Sequence, residues 1–251
     1  MKREQWYIST VDENAHKLAE NHGLGIEIAE YCTAYNMDDY FEITHASVAE
    51  KLECIEKRVF HGPFNELFPC AIDPKARELA RFRYGQAMKL AVDYGCEKIV
   101  IHAGYNPRLY YPPWYTPKTA EFWREFAFLI PEGLTVCLEN VFEEEIDMFL
   151  GIFEELDDPR IKICLDIGHV NTYSETPVSE WIKRCAPYIA HFHIHNNNAD
   201  FDSHQSVDDG SMDMKMLLEL ADGLCPDATY SLEVIESEAS VKWLEESGLL
   251  K

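Results

Sequence analysis

The 251-residue sequence has few basic residues, no Cys-x-x-Cys pair and no long apolar run. Lysine and arginine number 22 against 45 aspartates and glutamates, which gives a formal net charge of −23. Proteins that bind nucleic acid neutralise its phosphates with basic surface residues. The excess of acidic residues therefore disfavours a nucleic-acid partner. No segment reaches the roughly 20 apolar residues that span a bilayer, so we expect no membrane partner.

The first residues, MKREQWYISTVDEN, contain no apolar core of signal-peptide length. The eight cysteines include Cys137 and Cys164 inside apolar runs, where a thiol usually packs as a small hydrophobic group. Reduced, structural cysteines are typical of cytosolic proteins. We therefore expect a cytoplasmic protein.

Short β-rich runs alternate with amphipathic segments along the whole chain. The clearest helical segment is 73–95, which opens with Asp73 and Pro74 and stops at Gly95. Predicted strands are 6–10, 25–32, 57–62, 98–104, 134–140, 161–168, 189–195 and 229–235. Predicted helices are 12–22, 46–56, 73–95, 117–130, 143–156, 178–186, 211–222 and 237–247.

Eight such pairs predict an α/β fold, a single (β/α)8 TIM barrel, with residues 1–251 forming one domain. The alternative is an open doubly wound sheet. That sheet would need a phosphate-binding turn after its first strand, and the sequence contains no G-x-G-x-x-G or Walker pattern.

Imidazoles and carboxylates gather at the predicted strand ends, which is where barrel enzymes place their catalytic residues. Each of these side chains alone could be a helix cap or a hydrogen-bonded core residue. Together they predict a divalent-metal site, because buried carboxylates cost several kcal/mol unless cations balance them. The residues are His61, His102, Glu139, Asp166, His169, His191, His193, His195 and Glu233.

The segment HFHIH places His191, His193 and His195 on one face of a strand. Neighbours on that face lie about 6.6 Å apart, twice the strand rise of about 3.3 Å per residue. Metal–nitrogen distances near 2 Å therefore disfavour one ion shared along the stripe. We expect His193 to be the ligand, His191 to lie deeper in the core, and His195 to contact substrate at the rim.

The strand-end residues stand in short motifs, which are H-x-P (61–63), H-x-G (102–104), L-E-N (138–140), L-D-x-x-H (165–169), H-I-x-N-N (193–197), D-x-H (202–204) and L-E (232–233). In this order the motifs resemble those of the xylose-isomerase-like TIM-barrel superfamily. The resemblance covers roughly residues 57–235, and the group holds sugar isomerases, sugar epimerases and family 2 apurinic endonucleases.

The resemblance implies a metal cofactor. Epimerase-like members bind one divalent cation, here Mn²⁺, Zn²⁺ or Mg²⁺, through the positions of Glu139, Asp166, His193 and Glu233. Endonuclease-like members hold three Zn²⁺ ions and add the positions of His61, His102, His169, Asp202 and His204. We expect one cation per chain, with three zinc ions as the alternative.

The preferred function is a metal-dependent isomerase or epimerase of a sugar or sugar phosphate. Glu139 and Glu233 would move a proton between the two faces of the substrate through an enediolate that the cation stabilises. Xylose isomerases carry a lysine two residues after the strand-five glutamate, whereas Val141 stands there in this chain, which disfavours a hydride shift. Predicted substrate-binding residues are His169, Glu27, His195 and Trp114, the last in the aromatic loop 104–117.

Two alternatives remain from the sequence. One is a multi-zinc phosphodiesterase similar to the apurinic endonucleases, in which the metals activate water. The other is a non-catalytic barrel that binds metal and sugar. A small-molecule polyol is the expected partner under the preferred function.

Overall fold

The computed structural model describes all residues from 1 to 251, and eight parallel strands close into a barrel. Each strand pairs with the next along the chain, and the last pairs with the first. This confirms the (β/α)8 prediction and excludes the open sheet. The strands are β1 (Trp6–Ser9), β2 (Gly25–Ile28), β3 (Arg58–His61), β4 (Lys98–His102), β5 (Thr135–Glu139), β6 (Ile161–Asp166), β7 (Ile189–Ile194) and β8 (Thr229–Leu232).

Nine α-helices surround the strands, one more than the sequence predicts. They are α1 (Ala15–His22), α2 (Phe41–Lys51), α3 (Pro74–Asp93), α4 (Pro112–Phe126), α5 (Ile146–Leu156), α6 (Ile167–Tyr173), α7 (Val178–Cys185), α8 (Met214–Leu224) and α9 (Ser237–Glu246). The unpredicted helix is α6, which follows β6 without a loop and is too short to show a helical period. No helix has the length and apolarity to cross a membrane.

Helices α2 and α4 each begin five residues before their predicted starts. The last part of the aromatic loop predicted at 104–117 forms the first turn of α4, which Pro112 and Pro113 open. Proline is well suited to that turn, because the amide hydrogen it lacks would have no partner there.

Alternation along the strands decides which side chains enter the barrel. Strand β7 turns its histidines inward, while Phe192 and Ile194 pack outward against the helices as part of the main hydrophobic core. Deep inside the barrel, a small apolar cluster from consecutive strands comprises Val59, Val100, Cys137 and Cys164. The interior at the carboxyl ends of the strands, called the mouth below, is polar instead.

Strand register brings the polar residues of the mouth to a common level. Asp166 pairs with His193 across β6 and β7, and His102 pairs with Glu139 across β4 and β5. Because these partners are direct neighbours, side chains far apart in sequence converge on one region of the mouth.

Candidate metal centre

Four side chains at the ends of β5 to β8 form the inner set, comprising Glu139, Asp166, His193 and Glu233. One donor atom from each lies within 4.8 Å of every other. His193 Nδ1 is 3.2 Å from Glu139 Oε1, 3.0 Å from Glu233 Oε2 and 3.7 Å from Asp166 Oδ2. The geometry thus brings together the four residues that the resemblance implies for one cation.

The donor atoms of the inner set fit a divalent cation. Glu139 Oε2, His193 Nδ1 and Glu233 Oε2 are all buried, and none has a hydrogen-bond partner. Although His193 Nδ1 and Glu233 Oε2 are close, their alignment is not that of a hydrogen bond. Oxygen and imidazole donors converging without partners are the chemistry of a metal site.

The glutamates of the inner set are ionised. Burial by itself would raise the pKa of Glu139, but the charges of His193 and His102 hold that pKa well below its usual range. Burial also acts to raise the pKa of Glu233, and His193 again lowers it below the usual value. Both carboxylates can therefore bind a cation or accept a proton at neutral pH.

Glu27 lies beneath the inner set and fixes the orientation of His193. Its Oε1 accepts a hydrogen bond from His193 Nε2 at 2.9 Å, and its Oε2 accepts from His191 Nε2 at 3.1 Å and from the Ser231 hydroxyl. Since Nε2 donates to Glu27, His193 turns Nδ1 towards the inner set, where a bound cation would take the place of the Nδ1 proton.

Glu27 is fully buried and uses both oxygens within the barrel. We therefore infer that Glu27 orients His193, in place of the predicted contact between Glu27 and the substrate. His191 lies one layer deeper, with Nδ1 2.6 Å from the Thr229 hydroxyl. Burial lowers the pKa of His191 to about 4, so this imidazole is neutral.

A Glu27→Gln variant should bind the cation more weakly. Glutamine keeps the size of the side chain but removes the negative charge that makes His193 a strong ligand. We expect the affinity for Mn²⁺ or Zn²⁺ to fall about 10- to 100-fold in a competition titration against a chelating dye. Glu50→Gln, on the exposed face of α2, is the matched control. An affinity equal to that of the wild type would refute the positioning role.

A flanking set lies on the β3–β4 side of the inner set and comprises His61, His102 and Glu139. His61 Nε2 and His102 Nε2 are each 3.3 Å from Glu139 Oε2. His61 Nδ1 donates to the Gly62 carbonyl at 3.0 Å, which leaves Nε2 facing the carboxylate. The two histidines can therefore orient the carboxylate of Glu139 or bind an additional metal ion.

An outer set lies on the opposite side and comprises His169, His195, Asp202 and His204. His169 Nε2 and His204 Nε2 are each 3.1 Å from Asp202 Oδ2. His195 is fully buried and its Nε2 is 3.1 Å from Asp166 Oδ1. From this position His195 is better placed to bind a metal or to support Asp166 than to make the predicted contact with substrate.

Substrate binding was the other predicted role of His169, but both of its ring nitrogens already have partners. Its Nδ1 donates to the Asn140 carbonyl at 2.8 Å, and its Nε2 faces Asp202. The backbone amide of His169 donates to Asp166 Oδ1 at 2.7 Å, so Asp166 also caps α6.

Trp114 is held at the barrel rim. Its indole N–H donates to the Cys70 carbonyl at 2.8 Å, and the ring packs against the hydrophobic core. The half-buried side chain therefore takes part in the packing at the rim, and its contact with a polyol stays a prediction. The apolar wall beside the site comes from Phe64, which stacks on His102 at 4.2 Å, and from Phe142.

Phe64 and Phe142 line a cavity of about 160 Å³ that reaches His102. Sequence reasoning missed both residues. Each stands within three residues of a motif residue, Phe64 after His61 and Phe142 after Glu139, and that proximity is the signal that could have identified them.

Comparison with known proteins matches the architecture described above. The model of the family described as xylose isomerase-like TIM barrel matches residues 13–250. An uncharacterized protein of Methanocaldococcus jannaschii is 26% identical over 185 residues, which cover 70% of this chain and 63% of that protein. The chain spans less than two thirds of the length of the curated relatives it matches.

Solved structures share the fold at low sequence identity. A D-tagatose 3-epimerase-like protein superimposes with a TM-score of 0.78 at 22% identity, over 98% of this chain and 97% of that chain. A protein from Thermus thermophilus, soaked with ZnCl2, superimposes with a TM-score of 0.79 at 23% identity, over 97% of each chain.

Proposed function

The chain belongs to the xylose isomerase-like TIM-barrel family, and from that premise we propose that it is a divalent-metal-dependent isomerase or epimerase. Its substrate would be a sugar or sugar phosphate. The observation that carries the proposal is the placement of Glu139 and Glu233, each within 3.2 Å of His193 Nδ1 but rooted in different walls of the barrel. The shared fold with a D-tagatose 3-epimerase-like protein supports this substrate class.

The inner set would hold the cation through three carboxylates and one imidazole. A divalent cation bound there supplies Lewis-acid polarisation of a carbonyl and its neighbouring hydroxyl. The donor set suits Mn²⁺, Zn²⁺ and Mg²⁺, and the zinc-soaked neighbour is in line with a divalent metal.

Glu139 and Glu233 would carry the proton. Glu139 ends β5 and Glu233 follows β8, so the two carboxylates approach a substrate in the mouth from different sides. One carboxylate removes the C–H proton beside the carbonyl, and the other, after taking a proton from solvent, delivers it to the opposite face. The lowered pKa of each carboxyl keeps both groups ionised before the reaction, so either one can be the group that accepts the C–H proton.

The residues after Glu139 support the choice of proton transfer over hydride shift, because Val141 stands where xylose isomerases carry a lysine. The amide nitrogen of Asn140 donates to the Asp166 carbonyl and its amide oxygen accepts from the Asp166 N–H, both at 3.0 Å. Asn140 is thereby committed to holding β5 against β6, and Val141 offers no charge to a substrate.

A substrate screen tests the proposal. The chain, loaded in turn with Mn²⁺, Zn²⁺ or Mg²⁺, is incubated with a panel of ketoses and ketose phosphates, and the products are separated by chromatography. We expect an epimer or isomer of at least one ketose. No conversion of any panel member with any of the metals would count against the proposal.

The second candidate is a multi-zinc phosphodiesterase, favoured by the inner, flanking and outer sets lying side by side in one mouth. The same metal-loaded chain is therefore incubated with a duplex that contains an abasic site. The net charge of −23 leads us to expect no cleavage. Cleavage without any sugar conversion would favour the phosphodiesterase.

A further inference from the structure

We propose that a groove beside the metal centre binds an anionic group at the far end of the substrate, and that Arg108 recognises this group. The group would be a phosphate or a carboxylate on the carbon most distant from the reacting carbonyl. The inference rests on the proposed function, because it specifies the class of sugar that the same mouth accepts.

Arg108 is the one arginine whose guanidinium has no partner in the chain. The sequence contains nine arginines, and the other eight each pair with a carboxylate or a backbone carbonyl. Arg108 is exposed and donates only its backbone N–H, although the chain carries 45 acidic residues. Its guanidinium is therefore free to bind an anion from outside the chain.

The loop after β4 fixes the position from which Arg108 extends. The side-chain oxygen of Asn106 accepts a hydrogen bond from the Arg108 N–H at 2.9 Å. The backbone carbonyl of Asn106 accepts from the N–H groups of Leu109 and Tyr110, both at 3.0 Å. These bonds hold the turn, so the guanidinium starts from a defined point on the mouth.

Arg108 lies on the wall of a groove of about 380 Å³. The groove is lined by Asn106, Pro107, Arg108, Phe142 and Tyr173. The rings of Phe142 and Tyr173 meet edge to face with their centroids 4.9 Å apart, and such apolar walls suit the C–H face of a sugar. No carboxylate lines the groove, so an anion can approach Arg108 there despite the net charge of −23.

The groove opens directly beside the metal centre. Asn106 and Phe142 also line the smaller cavity that reaches His102 of the flanking set. On the other side, the ring centroid of Tyr173 is 6.3 Å from that of His169 in the outer set. A substrate that places its carbonyl at the inner set can therefore extend its far end into the groove.

The chemistry of the guanidinium favours an anion over a hydroxyl group. Its planar fork of N–H donors matches two oxygens of one phosphate or carboxylate, and such charge-assisted pairs are about twice as strong as neutral hydrogen bonds. A neutral sugar would gain little from Arg108. We therefore expect Arg108 to select anionic sugars.

Calorimetric titration of the full, metal-loaded chain tests the proposal. The ligands are ketohexoses, their 6-phosphates and the ketohexuronates, in which carbon 6 is a carboxylate. We expect at least one of the anionic compounds to bind about 10- to 100-fold more tightly than its parent ketose. The anion with the higher affinity identifies the group. If every anion binds less than about tenfold more tightly than its parent, the proposal is overturned.

Arg108→Gln should remove the preference, so that each anion and its parent ketose bind with similar Kd values. The fold should not change, because the guanidinium makes no contact within the chain. Arg160→Gln is the matched control, since Arg160 is a partly exposed arginine directly before β6, at the opposite end of the barrel. An Arg108→Gln chain that keeps the full preference would overturn the role of Arg108.

Salt gives a second readout. The preference for the anion should shrink between about 0.05 and 0.5 M salt, because the groove is open to solvent and ions screen the attraction. Binding is measured without turnover, so the two proposals can fail separately. Anion binding through Arg108 without any sugar conversion would count against the reaction alone. Conversion of ketoses without a preference for anions would count against the groove alone.

Discussion

Replacing Glu233 with glutamine should lower kcat by about 10²- to 10⁴-fold, the range typical of a lost general acid or base. Glutamine has the size of glutamate and can still place an oxygen near His193, but it cannot take a proton from carbon. Glu139→Gln should have an effect of the same order, because each carboxylate serves one face of the substrate. KM should change far less than kcat.

The measurement is steady-state kinetics on the ketose that the screen identifies, with bound metal counted for each variant. Glu246→Gln, exposed on α9, is the matched control and should turn over like the wild type. A Glu233→Gln chain that keeps both its metal and full turnover would show that Glu233 is not the proton carrier.

Removing the metal should destabilise the fold strongly. The barrel interior buries the carboxylates of Glu27, Glu139, Asp166 and Glu233, and a cation at the inner set offsets their repulsion. A ligand that binds only the native state at about 1,000 times its Kd adds about 4 kcal/mol to the free energy of unfolding. For a chain of this size, about 4 kcal/mol corresponds to a Tm change of roughly 8 to 16 °C.

Thermal unfolding followed by circular dichroism, before and after a chelator, checks this expectation. Adding back Mn²⁺ or Zn²⁺ in excess of the chelator should restore the original Tm. Equal Tm values in the metal-loaded and metal-free states would mean that the barrel tolerates its buried carboxylates without a cation.

The barrel and the gathering of acidic and histidine side chains at its mouth could be predicted because both follow from short-range patterns. The choice of the four residues of the inner set came from the family resemblance. The alternation of side chains along a strand decides which of them point into the barrel. Those at the carboxyl end of a strand lie at the mouth, because all eight parallel strands end there. Glu139, Asp166 and His193 each end or nearly end a strand, so their convergence is readable from the sequence.

The features of the site that the sequence did not reveal depend on how deep a side chain lies in the barrel and on the path of the loops after the strands. Glu27 lies on the correct face of β2, but alternation does not show that both its oxygens are consumed below the mouth. The spacing of the histidines at 191, 193 and 195 disfavours an ion shared by His193 and His195. That spacing does not show that a later segment brings Asp202 and His204 to His195. The sequence does not predict α6, because Asp166 both ends β6 and caps the helix, so no loop separates the two elements.

Solvent deuterium is the sharpest probe of the proposed proton transfer. The metal-loaded chain is incubated in D2O with its ketose substrate, and NMR follows the carbon-bound hydrogen beside the carbonyl. We expect deuterium to enter at that carbon in substrate and product, and the Glu139→Gln and Glu233→Gln variants to lose this exchange. Conversion without any deuterium incorporation would mean that hydrogen moves within the substrate, and it would contradict proton transfer by the two glutamates.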